Sequence, residues 1–310
     1  YEKITTYMTL IKCNECSTKI SDTAKHCPEC GWKVEKKTVT LPAVPSSQNG
    51  SGVEDTRESH FDTWGFLTKE VNERGVATTY QYDVLRGAMT QMVRNDVGVD
   101  PDPLPDDTNL VTDYEIDDLG RTIKQLGPVH TIDLEDTLTK IRSGVWTHYR
   151  DAEEEVITIQ GYQVVGEDGS SSSSSGGGDE NAHTVNPVRI NRSYEDDPTV
   201  SGTSMRSQIA AEYTGEGIPP EDHVYLRSSW LRWSSQHFNQ GGMETYSREY
   251  HQIPSTGQGT EGPDFGQTEL GYDELCRKDE ESSPGDTTTK QSLNAMGWLD
   301  QSEVGTITSP

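Results

Sequence analysis

The sequence predicts a mainly β chain: a small cysteine-rich module in front, then an elongated antiparallel sheet of stacked hairpins interrupted by low-complexity linkers. Three observations carry that prediction. Period-two alternation recurs in short segments, 29 Gly and 15 Pro punctuate the chain into turn-linked pieces, and one turn signature returns at a fixed interval.

Composition narrows the function classes. The chain holds 26 Lys+Arg against 52 Asp+Glu, a formal charge of −26 over 310 residues, so a duplex nucleic acid or anionic membrane repels it as a whole and no nucleic-acid partner is expected. Leu, Ile, Val and Phe make up roughly 18% of the residues, near the border below which chains fail to bury enough apolar surface. Small modules or repeats are therefore expected rather than one large core. No apolar stretch approaches the ~20 residues a membrane helix requires, and no apolar segment behind Lys3 has the length of a secretory signal.

The first element is the cysteine cluster. Cys13-Asn14-Glu15-Cys16 and Cys27-Pro28-Glu29-Cys30-Gly31 are two C-x-x-C turns separated by ten residues. Two such turns facing each other supply a closed tetrahedral S₄ site, the structural Zn2+ geometry, and about 27 residues cannot build a core without it. Gly31 suits the positive φ of such a turn, and Ser17 stands in the matching place of the first. Two disulfides, or unligated thiols, are the rival readings; His26 is not needed once four thiolates complete the shell.

Residues 38–60 read as a flexible linker, because Pro42, Pro45, Gly50 and Gly52 punctuate a stretch without hydrophobic period. A β segment is expected over 61–165, a Ser/Gly-rich linker or loop over 166–184, and a second β segment over 185–310. Strands are predicted at 78–82, 121–126 and 156–162 from their β-branched or aromatic content. Two short helices are predicted by spacing, Met205–Tyr213 and Leu134–Ile141.

The repeating turn is an aromatic or apolar residue, Asp or Asn, two residues, then Gly. It occurs as Phe61-Asp62-Thr63-Trp64-Gly65, Ile116-Asp117-Asp118-Leu119-Gly120-Arg121 and Leu293-Asn294-Ala295-Met296-Gly297. Degenerate copies are Tyr80-Gln81-Tyr82-Asp83-Val84-Leu85-Arg86-Gly87, with Arg and Gly transposed, and Tyr272-Asp273-Glu274-Leu275-Cys276-Arg277, with Cys for Gly. Asp62 to Asp83 is 21 positions and Asp273 to Asn294 is again 21. In such a hairpin the Asp or Asn accepts backbone N–H groups and Gly takes the positive-φ position. One hairpin cannot cover its own face, but stacked copies cover each other. Strain of roughly 1 kcal/mol is expected where Cys276 and Arg86 replace Gly.

Other constellations are weak. The histidines lie scattered without a nucleophile or ligand motif. Asp100-Pro101-Asp102 with Asp106-Asp107 fits a solvated acidic loop better than a calcium site. Asp151–Glu155 reads as a solvated edge. Trp230, Trp233 and Phe238 read as sheet core rather than a stacking platform, and Cys276 as a free thiol.

Residues 11–37, with Ile11-Lys12-Cys13 opening and Cys27-Pro28-Glu29-Cys30-Gly31 closing, resemble the bacterial zinc-ribbon family. That implies a metal-held β-hairpin module. Residues 61–310 resemble the RHS or YD-repeat family, whose repeat reads Tyr-x-Tyr-Asp-x-x-Gly-Arg. The matching positions are Asp117, Gly120 and Arg121 in the best copy, Tyr82 and Asp83, then Tyr272, Asp273 and Arg277, and the turn residues Asp62, Gly65, Asn294 and Gly297. This resemblance implies a secreted or surface-displayed β-shell that in some members encloses a toxin and in others contacts cell-surface carbohydrate or a neighbouring cell. The Asp-Pro-rich core motif that closes such shells is missing, so self-cleavage does not carry over.

The expected function is a non-enzymatic structural or interaction protein whose partners are another protein, carbohydrate, or further copies and repeats. The alternative is a cytoplasmic zinc-ribbon adaptor with a largely disordered acidic region. A hydrolase or carbohydrate-processing enzyme is a third reading, with many acids but no paired geometry. The repeat favours an extracellular setting, the zinc ribbon a cytoplasmic one.

Overall fold

The computed structural model describes residues 10–12, 19–21, 29, 36–41, 55–73, 75–95, 109–134, 136–165, 181–195, 203–285 and 287–306. Cys13, Cys16, Cys27 and Cys30, the acidic stretch 100–107 and residues 166–180 lie outside them. The described residues are mostly strand. In chain order these are β1 (Leu10–Lys12), β2 (Lys19–Ser21), β3 (Lys36–Leu41), β4 (Asp55–Phe61), β5 (Leu67–Val71), β6 (Ala77–Asp83), β7 (Ala88–Asn95), β8 (Asn109–Ile116), β9 (Thr122–Leu134), β10 (Thr137–Arg150), β11 (Glu155–Val164), β12 (Ala182–Glu195), β13 (Ser204–Ala211), β14 (Trp230–Phe238), β15 (Glu244–Tyr250), β16 (Phe265–Tyr272), β17 (Lys278–Ser283), β18 (Thr287–Leu293) and β19 (Leu299–Thr306). Single 3₁₀ turns cover Asp151–Glu153 and Arg227–Ser229. No described helix is long and apolar enough to cross a membrane.

The chain divides into two compact units, Tyr1–Arg142 and Ser143–Pro310. In the first, β1 and β2 form a separate antiparallel pair, and β3 to β9 pair antiparallel in chain order. Among its described residues the apolar core is thin, with Val76, Ala77, Leu126 and Ile141 buried. A buried guanidinium adds polar cohesion: Arg142 donates to the carbonyls of Gly127 (2.7 Å) and Leu126 (2.9 Å) and pairs with Asp113 (2.7 Å).

The second unit pairs β11 to β19 in chain order. One apolar row crosses it, because the registers set Ile157, Ile190, Ile209, Trp233, Tyr250 and Phe265 opposite one another on successive strands. All six are buried. Each contributes about 1.5–3 kcal/mol by leaving water, which concentrates the unit's hydrophobic stabilisation in β11–β16.

Four expectations are corrected. Met205–Tyr213 is not helical: Met205, Ser207, Ile209 and Ala211 are all buried along β13, so period two describes the burial and a helical period does not. Leu134–Ile141 is a reversal between β9 and β10, turned at Asp136 with φ 63°; the β-branched Thr137 and Thr139 favour the extended form. Residues 38–60 are not linker throughout, since β3 and β4 occupy their ends, with Leu41 opposite Asp55. The strands flanking the Ser/Gly tract, β11 and β12, pair directly, Tyr162 opposite His183, which agrees with the loop alternative of the linker-or-loop reading. The adaptor reading with a largely disordered acidic region also falls, since most described residues from 55 to 306 lie in paired strands.

Candidate functional site: a row of aspartate turns

The Asp/Asn turns share one loop. Taking Asp62 as example, its Oδ1 accepts the N–H groups of Trp64 and Phe66 (both 2.9 Å). Its own N–H bonds the Phe66 carbonyl, and the Gly65 N–H returns to the Asp62 carbonyl. Asp117 does the same with Leu119 and Arg121, Asp273 with Leu275 and Arg277, and Asn294 with Met296 and Trp298. Two copies were missed in the sequence, Asn239 holding Gly241 and Met243, and Asn72 holding Val76. Both obey the same signature, Phe238-Asn239-x-x-Gly242 and Val71-Asn72-x-x-Gly75.

The third residue of each loop is left-handed: φ is 90° at Gly65, 78° at Gly75, 79° at Gly120, 75° at Gly242, 59° at Cys276 and 81° at Gly297. This is a type I turn followed by a left-handed residue, the three-residue hairpin connection. A register slip precedes the loop in each hairpin closed by Asp62, Asp83, Asp117, Asn239, Asp273 and Asn294. The 21-residue interval is thus two strands and two reversals.

The two degenerate copies resolve differently. In the Asp83 turn the left-handed residue is Gly87 (φ 68°), whose N–H bonds the Asp83 carbonyl at 2.8 Å. The loop lengthens by one residue, so Arg86 avoids the left-handed region and the strain expected there is absent. Cys276 keeps it. Its thiol is free and exposed, and a Cβ in that conformation costs roughly 1 kcal/mol. Cys276→Gly is expected to stabilise the second unit by about that amount, read from the urea midpoint; an unchanged or lowered midpoint contradicts it.

Arginines fasten the turns. Arg121 Nε lies 2.7 Å from Asp117 Oδ2 and Arg277 Nε 2.7 Å from Asp273 Oδ2. Two arginines also reach a neighbouring turn: Arg86 bonds Asp83 (2.8 Å) and Asp118 (2.7 Å), and Arg277 donates to the Asn294 carbonyl at 2.7 Å. The bonds from the Arg86 amide and guanidinium hold the Asp83 carboxyl below the usual carboxylate range. The Arg277 guanidinium and amide do the same for Asp273. At Asp117 partial burial pushes upward, and the amide and guanidinium of Arg121 outweigh it.

Lowered folded-state values mean that these carboxylates stabilise the fold fully above their unfolded pKa of about 3.9 and lose that contribution as pH falls through the depressed values. A melting temperature flat from pH 7 to 5 and falling below about pH 4 is expected. Asp117→Asn should flatten the acid limb of the first unit; an unaltered limb contradicts the assignment.

In an antiparallel meander every second connection lies on the same edge. The Asp62, Asp83 and Asp117 turns share one edge of the first unit; the Asn239, Asp273 and Asn294 turns share one edge of the second. The second residue after the Asp or Asn is large and apolar in most of them: Trp64, Leu85, Leu119, Leu275 and Met296, each 65–95% exposed. Turn tips ordinarily carry Gly, Asn, Asp or Ser, so these edges present an unusual apolar row.

Two sequence expectations away from the turns have definite outcomes. Glu155 is not part of a solvated edge. It is 3% exposed, and its carboxylate meets Arg150 (2.9 Å) and Arg192 (2.7 Å to Nε). The alternation Glu155, Ile157, Ile159 was the signal, since it puts all three on the buried face. Trp233 is 1% exposed and stacks on Tyr250 at 3.8 Å with 9° between planes, which makes it core. The repeat residues Asp62, Gly65, Tyr82, Asp83, Asp117, Gly120, Arg121, Tyr272, Asp273, Arg277, Asn294 and Gly297 all lie at hairpin ends.

No protein-family model matches the chain, and no curated protein does. Among solved structures, the chain is similar to one described as the crystal structure of TcdB2-TccC3-TEV, with 11% identity over 81% of this chain and 18% of that one and a TM-score of 0.21. A Photorhabdus luminescens Tc holotoxin pore matches with 10% identity over 81% of this chain and 16% of that one, at a TM-score of 0.15. The chain spans under a fifth of either solved chain.

Proposed function

We propose that the chain is a non-enzymatic structural and interaction module of the YD-repeat kind, its hairpins held in series by the Asp/Asn turns and its turn edges offering contact to a protein partner or to further repeats. The observation that carries this reading is the recurrence of one loop, bonded in the same way at Asp62, Asp117, Asn239, Asp273 and Asn294, with arginines tying neighbouring loops. Such an array distributes cohesion along the chain and suits a scaffold short of large apolar residues.

A structural Zn2+ at Cys13, Cys16, Cys27 and Cys30 belongs to the same proposal. Its support is the paired C-x-x-C spacing and the β1–β2 register, in which Lys12 stands opposite Lys19. Cys13 and Cys16 fall between Lys12 and Lys19 in the sequence. Four thiolates are the donor set that zinc prefers.

Metal content, thiol reactivity and circular dichroism on the purified chain test both parts. One zinc per chain, with four thiols unmasked on chelation, is expected. The β spectrum and its cooperative melt should survive chelation. Absent metal with freely reactive or disulfide-bonded cysteines removes the zinc assignment; a coil spectrum removes the scaffold.

A further inference from the structure

A polar row crosses the buried face of the second unit beside its apolar row. The registers align Glu155 with Arg192, Arg192 with Ser207, Ser207 with Ser235, Ser235 with Arg248 and Arg248 with Gln267. Arg192 and Arg248 thus stand on either side of two serines, three strand spacings or ~14 Å apart at the backbone. Both serines are 2% exposed. A third guanidinium, Arg227, lies over Trp233 at 4.6 Å and Trp230 at 4.7 Å.

The charges here do not balance. Glu155 serves both Arg150 and Arg192. Arg248 bonds the neutral Gln267 (2.8 Å) and Gln258 (2.5 Å) side chains, and Arg227 bonds only the carbonyls of Gly257 and Pro254. Among the described residues, then, four part-buried arginines meet one carboxylate in a chain whose acids outnumber its bases two to one. Guanidinium groups withdrawn from water without a counter-charge are costly.

Two tyrosines share this face, Tyr194 opposite Met205 and Tyr250 opposite Trp233. The Tyr250 hydroxyl is buried and completes no hydrogen bond of good geometry, although Arg248 and Ser235 lie close enough to act on it. Burial pushes the Tyr194 hydroxyl up, against the opposing pull of Ser207, Arg192 and Arg227. Planar guanidinium forks and phenolic donors together match the oxygens of a sulfate, phosphate or carboxylate.

We infer that Arg192, Arg227, Arg248, Tyr194 and Tyr250 form a binding site for an oxyanion-bearing ligand on this face of the second unit. Gln258 closes one side, bonding Arg248 and approaching Met205 Sδ at 3.7 Å, so the 251–264 connection borders the site. The inference is independent of the turn array and of the zinc.

Calorimetric titration of the full chain with inorganic phosphate, inorganic sulfate and acetate, against chloride at matched ionic strength, tests it. Saturable binding of at least one, with a raised melting temperature, is expected, and which of them binds separates the tetrahedral from the carboxylate source. Tyr250→Phe, which keeps the ring stacked on Trp233, should weaken that binding several-fold. Arg248→Gln should weaken it about tenfold, and Arg189→Gln, on the opposite face of β12, should leave it unchanged. No saturation by any oxyanion beyond chloride overturns the inference. So does equal affinity in Tyr250→Phe and the parent chain, a comparison that stands even if Arg248→Gln fails to fold.

Discussion

Replacing Glu155 by alanine is expected to destabilise the second unit by about 3 kcal/mol, the lower end of the range for breaking a buried ion pair. The carboxylate is buried and bonded by two guanidiniums, one of which, Arg150, also holds the Glu221 and His223 carbonyls. Removing it leaves two like charges facing each other and loosens the connection after β13. Arg192 is 39% exposed at its side chain, so water recovers part of the loss. Urea unfolding followed by tryptophan fluorescence reads the effect. Combining Glu155→Leu with Arg150→Met and Arg192→Met should restore much of the stability, because the penalty belongs to the stranded charges and not to a missing attraction. A single substitution costing under about 1 kcal/mol would place Glu155 in solvent after all.

Trp233→Ala carries a comparable or larger penalty, about 3–5 kcal/mol for an emptied aromatic site in a packed core. Trp233 sits in the middle of the apolar row, stacked on Tyr250, beneath Arg227, and donating its indole N–H to Ser207 Oγ at 2.6 Å. Its loss opens a cavity between β13 and β15 and strands a buried hydroxyl. Trp233→Phe keeps the stack and loses the donor, so a smaller cost of about 1–2 kcal/mol is expected. Equal effects of the two substitutions would mean that packing contributes nothing beyond the hydrogen bond.

The hairpins were legible because their determinants are local. An Asp or Asn, its two amide partners and the left-handed residue span five positions, and Asp62 to Phe66 or Asp117 to Arg121 carry all of them. The copies at Asn72 and Asn239 carry the same local signature and were equally legible. Met205–Tyr213 misled because its small and polar residues, Ser207 and Gln208, fit either period when burial is unknown. The polar row was not legible at all. Glu155 and Arg192 are 37 residues apart, and only the strand register brings them together. The Cys276 turn sits between these cases, since its signature is local but its left-handed backbone is held by the loop around it.

If side-chain-bonded turns hold this chain's hairpins in register, amide hydrogen exchange at the turn tips reads it out. The side chains of Trp64, Leu119, Leu275 and Met296 are exposed to solvent, yet their N–H groups are bonded to Asp62, Asp117, Asp273 and Asn294. The expected result is exchange at these four amides as slow as in the adjoining strand ladders, with Asp117→Ala releasing Leu119 alone among them. Exchange at free-peptide rates in the unmodified chain would contradict the account.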